Sequence, residues 1–260
     1  VNVFLSVEHL FVQFGGLTAV NDFSMHLVPG ELVGLIGPNG AGKTTVFNVI
    51  AGMVKPTSGR VVWRDEVLDG RPSHEIASLG IARTFQNIRL YRDMTVLENV
   101  MVSFHHHMRS PLWQVMLGLG TGVRQERLIR EQSREILQEF GLAHWALEKA
   151  GVLAYGQQRR LEIARAVAAR PQLLLLDEPA AGMNPRETRE LGDLVQEVRR
   201  KYSLTVLLIE HDMRFVMNLC ERVKVLDHGF TIAEGSPSEI RRNRKVIRAY
   251  LGNSADAPGE

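Results

Sequence analysis

Apolar and polar positions change rhythm along the chain and divide it into blocks. Near the start, apolar residues come in short runs: Phe4–Val7, Leu10–Phe14, Phe23–Leu27 and Leu32–Ile36. Alternating runs predict half-buried strands, and the continuous run at Leu32–Ile36 predicts a strand buried on both faces. Arg60–Trp63 and Val67–Leu68 predict a hairpin with Arg64-Asp65-Glu66 as its turn. From Asn87 to Arg170 helical spacing takes over, as in Arg124–Phe140, where Leu128, Ile136, Leu137 and Phe140 are apolar. Gly118, Gly120 and Gly122 mark a loop in this block. Strand runs return at Leu173–Leu176 and Thr205–Ile209. Between them Asn184 reads as a helix N-cap, Pro185 as the first helical position and Glu187 as the partner in a capping box. Leu191, Leu194, Val195 and Val198 then form one apolar stripe. Ser236-Pro237-Ser238-Glu239 repeats the start signal before a basic C-terminal helix. Its residues Arg241, Arg242, Arg244, Lys245 and Arg248 read as a solvated face rather than a lipid or nucleic-acid site, and 253–260 reads as a tail.

Composition narrows the class. The 260 residues are 45% hydrophobic and 23% charged, which fits one large globular domain or two intimate subdomains and excludes disordered and collagenous chains. A net charge of +2 gives no ground for a nucleic-acid partner. The single cysteine, Cys220, rules out an internal disulfide and a thiolate zinc cluster, and reads as a half-buried thiol in a reducing compartment. A membrane span needs about 20 mostly apolar residues. The best candidate, Pro111–Val123, is shorter and contains Gln114. The N-terminal stretch has no basic segment, so it reads as a strand rather than a signal peptide. A membrane role would therefore work through a partner.

The chemistry begins at Gly37-Pro-Asn39-Gly40-Ala41-Gly42-Lys43-Thr44, which matches GxxxxGK[ST] between a predicted strand and the helix-like Thr45–Ile50. Glycines let the backbone wrap a polyphosphate, while N–H groups and the helix N-terminus face the anion. Lys43 adds a cation near the β- and γ-phosphates, and the Thr44 hydroxyl suits Mg²⁺. Leu173–Leu176 ends in Asp177-Glu178, two carboxylates at the strand edge beside such a loop. Alone, this pair could equally cap a helix or pair with arginines. With the loop in the same chain, Asp177 suits the magnesium shell, and Glu178 suits orientation or deprotonation of an attacking water. The long separation of Lys43 from Asp177 exceeds one crossover, so the helical block is an insertion between them.

From about Leu5 to Gly252 these residues, in this order, resemble the ATP-binding cassettes of ABC transporters. Gln86, in Thr84-Phe-Gln-Asn, occupies the family's glutamine loop. Leu153-Ala-Tyr-Gly-Gln157 resembles its LSGGQ element, Ala180–Asn184 its D-loop and His211 its switch histidine, and Phe14 holds the aromatic position that stacks on adenine. The resemblance implies an α/β fold: a P-loop NTPase (RecA-like) core with an N-terminal antiparallel β-subdomain and an inserted α-helical subdomain. The implied domain is 1–252, with 1–86 and 171–235 as β-subdomain and core, 87–170 as helical subdomain and 236–252 as C-terminal helix. It also implies ATP and Mg²⁺ as cofactors. Glu178, His211 and Gln86 would be catalytic, and Thr44, Gln86 and Asp177 would be metal ligands. Phe14, Asn39, Gly40, Ala41, Gly42, Lys43, Thr44 and Thr45 would contact nucleotide. Gly156 and Gln157 precede a helical stretch, Arg159–Ala169, whose N-terminus can face an anion; they would meet the γ-phosphate held by a second ABC ATPase subunit, so one chain offers an incomplete site.

Phe14-Gly-Gly-Leu-Thr-Ala-Val20, Leu153–Arg165, Asp177–Pro185 and Ile247–Gly252 are together similar to the branched-chain amino-acid importer subgroup. That subgroup implies a peripheral subunit on the cytoplasmic face of a bacterial or archaeal inner membrane. It would work with integral-membrane permease subunits and, indirectly, an extracytoplasmic substrate-binding protein, powering uptake of leucine, isoleucine and valine. Alternatives are a cassette for another substrate, such as other amino acids or lipopolysaccharide export, and a soluble non-transport ABC ATPase. Gly156-Gln-Gln-Arg-Arg160 argues against the export type, and a single phosphate loop without sustained heptads argues against the soluble type. The chain departs from the family pattern at Ala154, where the serine hydroxyl is missing, at Tyr155, and at Asn184, where aspartate is common. His105-His-His107 reads as a loop or helix surface rather than a metal site. Pro111–Val123 reads as local core, with a partner- or membrane-facing patch as the alternative.

Overall fold

The structure, a computed structural model, describes residues 3–104 and 120–251. His105–His107, Gly118, most of Pro111–Val123 and the tail 253–260 lie outside the described residues. The strands are β1 (Leu5–Phe14), β2 (Leu17–Leu27), β3 (Leu32–Ile36), β4 (Ser58–Trp63), β5 (Glu66–Val67), β6 (Ile81–Arg83), β7 (Leu173–Asp177), β8 (Thr205–Ile209), β9 (Arg222–Asp227) and β10 (Phe230–Gly235). The helices are α1 (Lys43–Ile50), α2 (Ser73–Ser78), α3 (Val96–Phe104), α4 (Gly120–Glu139), α5 (Tyr155–Ala168), α6 (Pro185–Tyr202), α7 (Met213–Leu219), α8 (Pro237–Arg242) and α9 (Arg244–Leu251).

Two sheets form. An antiparallel sheet runs β2-β1-β4-β5, and a six-stranded sheet runs β10-β9-β3-β8-β7-β6. In the second, β3 pairs in parallel with β8 and β9, and β7 with β6 and β8. Because side chains alternate across a strand, each central strand feeds two cores. Leu32, Ile36, Leu174, Leu176, Val206 and Leu208 pack toward α3, α4, α5 and α6. Val33, Leu35, Leu173, Leu175, Leu207 and Ile209 pack toward Val46 and Phe47 of α1 and the antiparallel sheet. The continuous apolar runs of β3, β7 and β8 follow from this two-sided burial. The α/β fold expected from the sequence is the one observed, with the helices α3, α4 and α5 lying between β6 and β7 in the chain.

Several local expectations change. Phe4–Val7 and Leu10–Phe14 are one strand, β1, interrupted by an irregularity between Val7 and Leu10, where His9 has φ 47°; Phe4 precedes it. The hairpin turn is Arg64-Asp65 alone: Arg64 takes φ 55°, and Glu66 pairs with Trp63 instead of turning. Gly120 and Gly122 lie in the first turn of α4, not in a loop, where few intrahelical bonds depend on them. The C-terminal helix is two helices, because Asn243 breaks the first and its Oδ1 accepts from Lys245 N (2.9 Å) to start the second. β6, β9 and β10 have no clear sequence signal: β6 is three residues long, β9 alternates with charge, and β10 mixes polar and apolar residues with Glu234 near its end. Among the described residues no helix is long and apolar enough to cross a membrane.

The capping box predicted at Asn184 is present. Asn184 Oδ1 accepts from Arg186 N and Glu187 N, both at 3.0 Å, and Glu187 Oε2 accepts from Asn184 N at 3.0 Å. Leu191, Leu194, Val195 and Val198 are buried below it. Asn184→Ala is expected to lower the unfolding free energy by about 1 kcal/mol, read by urea denaturation. An unchanged midpoint would show that α6 does not depend on its cap.

Candidate functional site

β3, β7 and β8 run parallel and end on the same edge of the sheet, so the segments that follow them are neighbours. Gly37–Gly42 leaves β3 and enters α1. Gly37 has φ 152°, and a Cβ there would fall 2.1 Å from Leu226 O; Gly42 has φ 101°, and a Cβ there would fall 2.4 Å from Ala19 O. Both positions exclude any side chain, and both pin the loop against strands on either side. Asn39 and Gly40 are exposed and Ala41 is buried. Thr44 is exposed and Thr45 half-buried on the first turn of α1, whose first N–H groups have no intrahelical acceptor.

Lys43 folds its ammonium into the loop, donating to Gly37 O at 2.7 Å and Pro38 O at 2.8 Å. Burial lowers its pKa, opposed by the charges of Glu178 and Asp177. Those carboxylates come from the end of β7. Glu178 stands at φ 47°, a left-handed conformation that costs a non-glycine residue energy. Its Oε2 accepts from Gln86 Nε2 at 2.9 Å, and His211 Nδ1 lies 3.9 Å from the same oxygen, beyond hydrogen-bonding distance. The structure thus brings Lys43, Asp177, Glu178, Gln86 and His211 to one edge. Phe14 is 49% exposed rather than part of the core. It ends β1, and the next strand passes Gly42 at Ala19; an unburied ring there is available to a flat ligand.

Gly156 and Gln157 are placed elsewhere. α5 begins at Tyr155, not at Arg159, so both residues lie in its first turn. Ala154 is the N-cap and has no side-chain acceptor; the one reciprocal bond runs from Ala154 N to Gln157 Oε1 at 3.0 Å. The first N–H groups of α5 therefore have no side-chain cap, which leaves them able to face an anion. A Cβ at Gly156 would lie 3.3 Å from Glu187 Oε1 of the same chain.

Three residues that brace the site from behind have no sequence signal that names their role. Arg83 donates from Nη2 to Asp177 Oδ2 at 2.8 Å and from Nη1 to Asn48 Oδ1 at 2.7 Å, and its guanidinium stands near the Phe47 and Phe85 rings. The Arg83 and Asp177 side chains are only 8% and 4% exposed. Asp177 here answers an arginine, one of the alternatives its sequence left open. The only signal was a cation closing a short apolar run before Thr84-Phe-Gln86. Glu210 is fully buried and takes Ala180 N at 2.8 Å and His211 N at 3.2 Å, tying the end of β8 to the segment after Glu178; burial pushes its pKa up. Arg159, fully buried, holds the carbonyls of Phe85 and Gln86. Cys220 is buried rather than half-buried, beneath Gly34.

Thr44, Gln86 and Asp177 offer hydroxyl, amide and carboxylate oxygens, the hard donors that Mg²⁺ takes. One carboxylate suffices where phosphate oxygens complete the shell, so the residues present fit the ion. Among the described residues there is no group of three His, Cys, Asp or Glu that could hold a metal without a ligand's help.

A glycine-pinned loop feeding a helix, with an acidic pair on a parallel strand of the same sheet, defines a P-loop nucleotide-binding protein. A family model described as ABC transporter matches residues 20–181, and one described as branched-chain amino acid ATP-binding cassette transporter matches 231–256. The chain belongs to the ABC transporter ATP-binding family and is an ATPase of that family. It is 48% identical over 250 residues (96% of this chain, 98% of the relative) to the high-affinity branched-chain amino acid transport ATP-binding protein LivG of Escherichia coli strain K12. It is 46% identical, with the same coverage, to BraF of Pseudomonas aeruginosa, described in the same terms. The crystal structure of an ATP-binding cassette of an ABC transporter in its ADP conformation superposes with TM-score 0.82 at 32% identity, covering 96% of this chain and 99% of that one.

Removing Arg83 would leave Asp177 buried and unpaired. Arg83→Met is expected to cost about 3 kcal/mol or more in unfolding free energy, and Arg83→Met with Asp177→Asn is expected to recover part of it. Equal stability of Arg83→Met and the unsubstituted chain in urea would show that the pair does not constrain the edge.

Proposed function

We propose that the chain is the ATP-hydrolysing subunit of a branched-chain amino-acid importer, acting at the cytoplasmic face of the membrane through permease subunits. The observation that carries the chemical part is the meeting of the buried Lys43 ammonium with Asp177 and Glu178 at one sheet edge. The substrate class rests on the likeness to LivG and BraF and on the C-terminal match at 231–256.

In this reading, the loop N–H groups and the α1 N-terminus bind the phosphates, and Lys43 leaves its carbonyl partners for the β- and γ-oxygens. Asn39, Gly40, Ala41, Gly42 and Thr45 line that cradle, and Phe14 stacks on the adenine. Thr44, Asp177 and Gln86 would hold Mg²⁺, which would neutralise phosphate charge. Asp177 then has two claimants, since Arg83 occupies Oδ2. Glu178 orients or deprotonates the attacking water, its carboxylate held by the Gln86 amide. Gln86 donates to Glu178; as a neutral amide it could exchange that bond for a metal or a water at little charge cost. His211, whose Nδ1 stands 3.9 Å from Glu178 Oε2 and whose backbone N–H is held by Glu210, donates to the γ-phosphate or the attacking water. Gly156 and Gln157 complete the site of a second ABC ATPase subunit, whose own turn completes this one. We also place the division of labour at 1–86 and 171–235 for nucleotide and 87–170 for coupling to the permease.

Two substitutions test the reading. Lys43→Ala is expected to weaken ATP binding at least about tenfold, measured by calorimetry; unchanged affinity would contradict the phosphate-loop assignment. Glu178→Gln is expected to bind ATP while turnover falls by about 10² or more. In cells whose own chain carries Glu178→Gln, radiolabelled leucine uptake is expected to collapse while the protein still pellets with membranes. Unaltered leucine uptake beside lost ATPase activity would leave the ATPase standing and remove the substrate assignment.

A further inference from the structure

A buried cation lies between the Gln86 loop and the first turn of α5, and the hydrolytic scheme gives it no task. The Arg159 side chain is 0% exposed. Its Nη1 donates to Phe85 O and Glu162 Oε2, both at 2.8 Å, and its Nη2 donates to Gln86 O at 2.8 Å and to the Tyr155 hydroxyl at 3.0 Å. Glu162, one turn further along α5, closes the strap from the other side, its Oε1 accepting from Phe85 N at 3.3 Å and Arg89 N at 3.4 Å. Burying a guanidinium is costly unless its bonds are well made, and apolar packing would fill the same space at less cost. What the charge adds is direction: a planar fork with acceptors on two separate segments holds them in one relative placement.

Both ends of this strap reach the site. On one side the Gln86 backbone is held by Arg159 while the Gln86 side chain donates to Glu178. On the other, Tyr155 is held by Arg159 while its ring lies 3.3 Å from the position a Cβ would take at Gly182, where the backbone has φ 77°. Gly182 belongs to the segment that leaves Glu178, and Ala181 N in that segment donates to Glu178 O at 3.2 Å. Glu178, Gln86, Arg159, Tyr155 and Gly182 thus form a closed ring of contacts, with Arg159 the member that joins the Gln86 loop to α5.

We propose that Arg159 is a positioning residue that locks the Gln86 loop to the turn Tyr155–Gln157, so that the state of Gln86 and Glu178 sets where Gly156 and Gln157 are held. This rests on the reading of those residues given above. A nucleotide shifts such a unit only by its preference for one placement; with the strap cut, the loop and the turn respond separately.

The test is hydrogen exchange read by mass spectrometry on the full chain, with and without a non-hydrolysable ATP analogue and Mg²⁺, over residues 84–90 and 153–160 separately. In the unsubstituted chain the analogue is expected to slow exchange in both segments. In Arg159→Met, analogue affinity should stay within about threefold and slowing at 84–90 should persist, while slowing at 153–160 falls about tenfold. Arg159→Lys keeps the charge but not the fork, and Tyr155→Phe removes one acceptor, so each should uncouple the segments to a lesser degree. These two carry the test if Arg159→Met does not fold. Equal slowing of both segments in the variants and the unsubstituted chain would overturn the proposal and leave the ATPase reading intact. Failure of the unsubstituted chain to bind the analogue would overturn both.

Discussion

Burial on both faces confines β3, β7 and β8 to apolar side chains over most of their length, and charge enters only where each strand ends. Parallel pairing puts those three ends on one edge. The phosphate loop, the acidic pair and the Glu210-His211 step are therefore neighbours because the sheet has nowhere else to put polarity. The glycines at 37 and 42 answer the same constraint from the other direction, since strands on both sides close on the loop and leave no room for a Cβ.

Charge at this edge is organised around buried partners. Asp177 is answered by Arg83, Glu162 by Arg159, and Glu210 by backbone N–H groups. Glu178 is the exception, with a neutral amide as its donor and a histidine just out of reach. Asp177 and Glu178 are adjacent in sequence, yet the first is held by a buried guanidinium and the second by a neutral amide.

The sequence was most legible where one rule acted alone. Uniform apolar runs read as buried strands, and Asn184-Pro185-x-Glu187 read as a helix start. The loop Gly37–Thr44 announced itself because close backbone approach admits so few alternatives. It was less legible where distant segments meet. Nothing near Arg83 or Arg159 in sequence names Asp177 or Gln86 as its partner, because the partners lie 94 and 73 positions away along the chain. The start of α5 was misread because Ala154 lacks the oxygen that usually marks a cap, and Gln157 supplies only the reciprocal bond. Short β6 and charge-bearing β9 and β10 were missed because their strand character comes from their neighbours in the sheet.

The cap of α6 has a consequence for the approach of anions. Glu187, bonded to Asn184 N through one oxygen, carries its other oxygen to within 3.3 Å of where a Cβ would stand at Gly156. The turn proposed to meet a phosphate thus faces a like charge in its own chain. An arriving anion raises the free energy of that carboxylate unless it moves or is screened. On the reading proposed above, the helix start and the docking of a second subunit would be linked, and ionic strength would enter the association through Glu187.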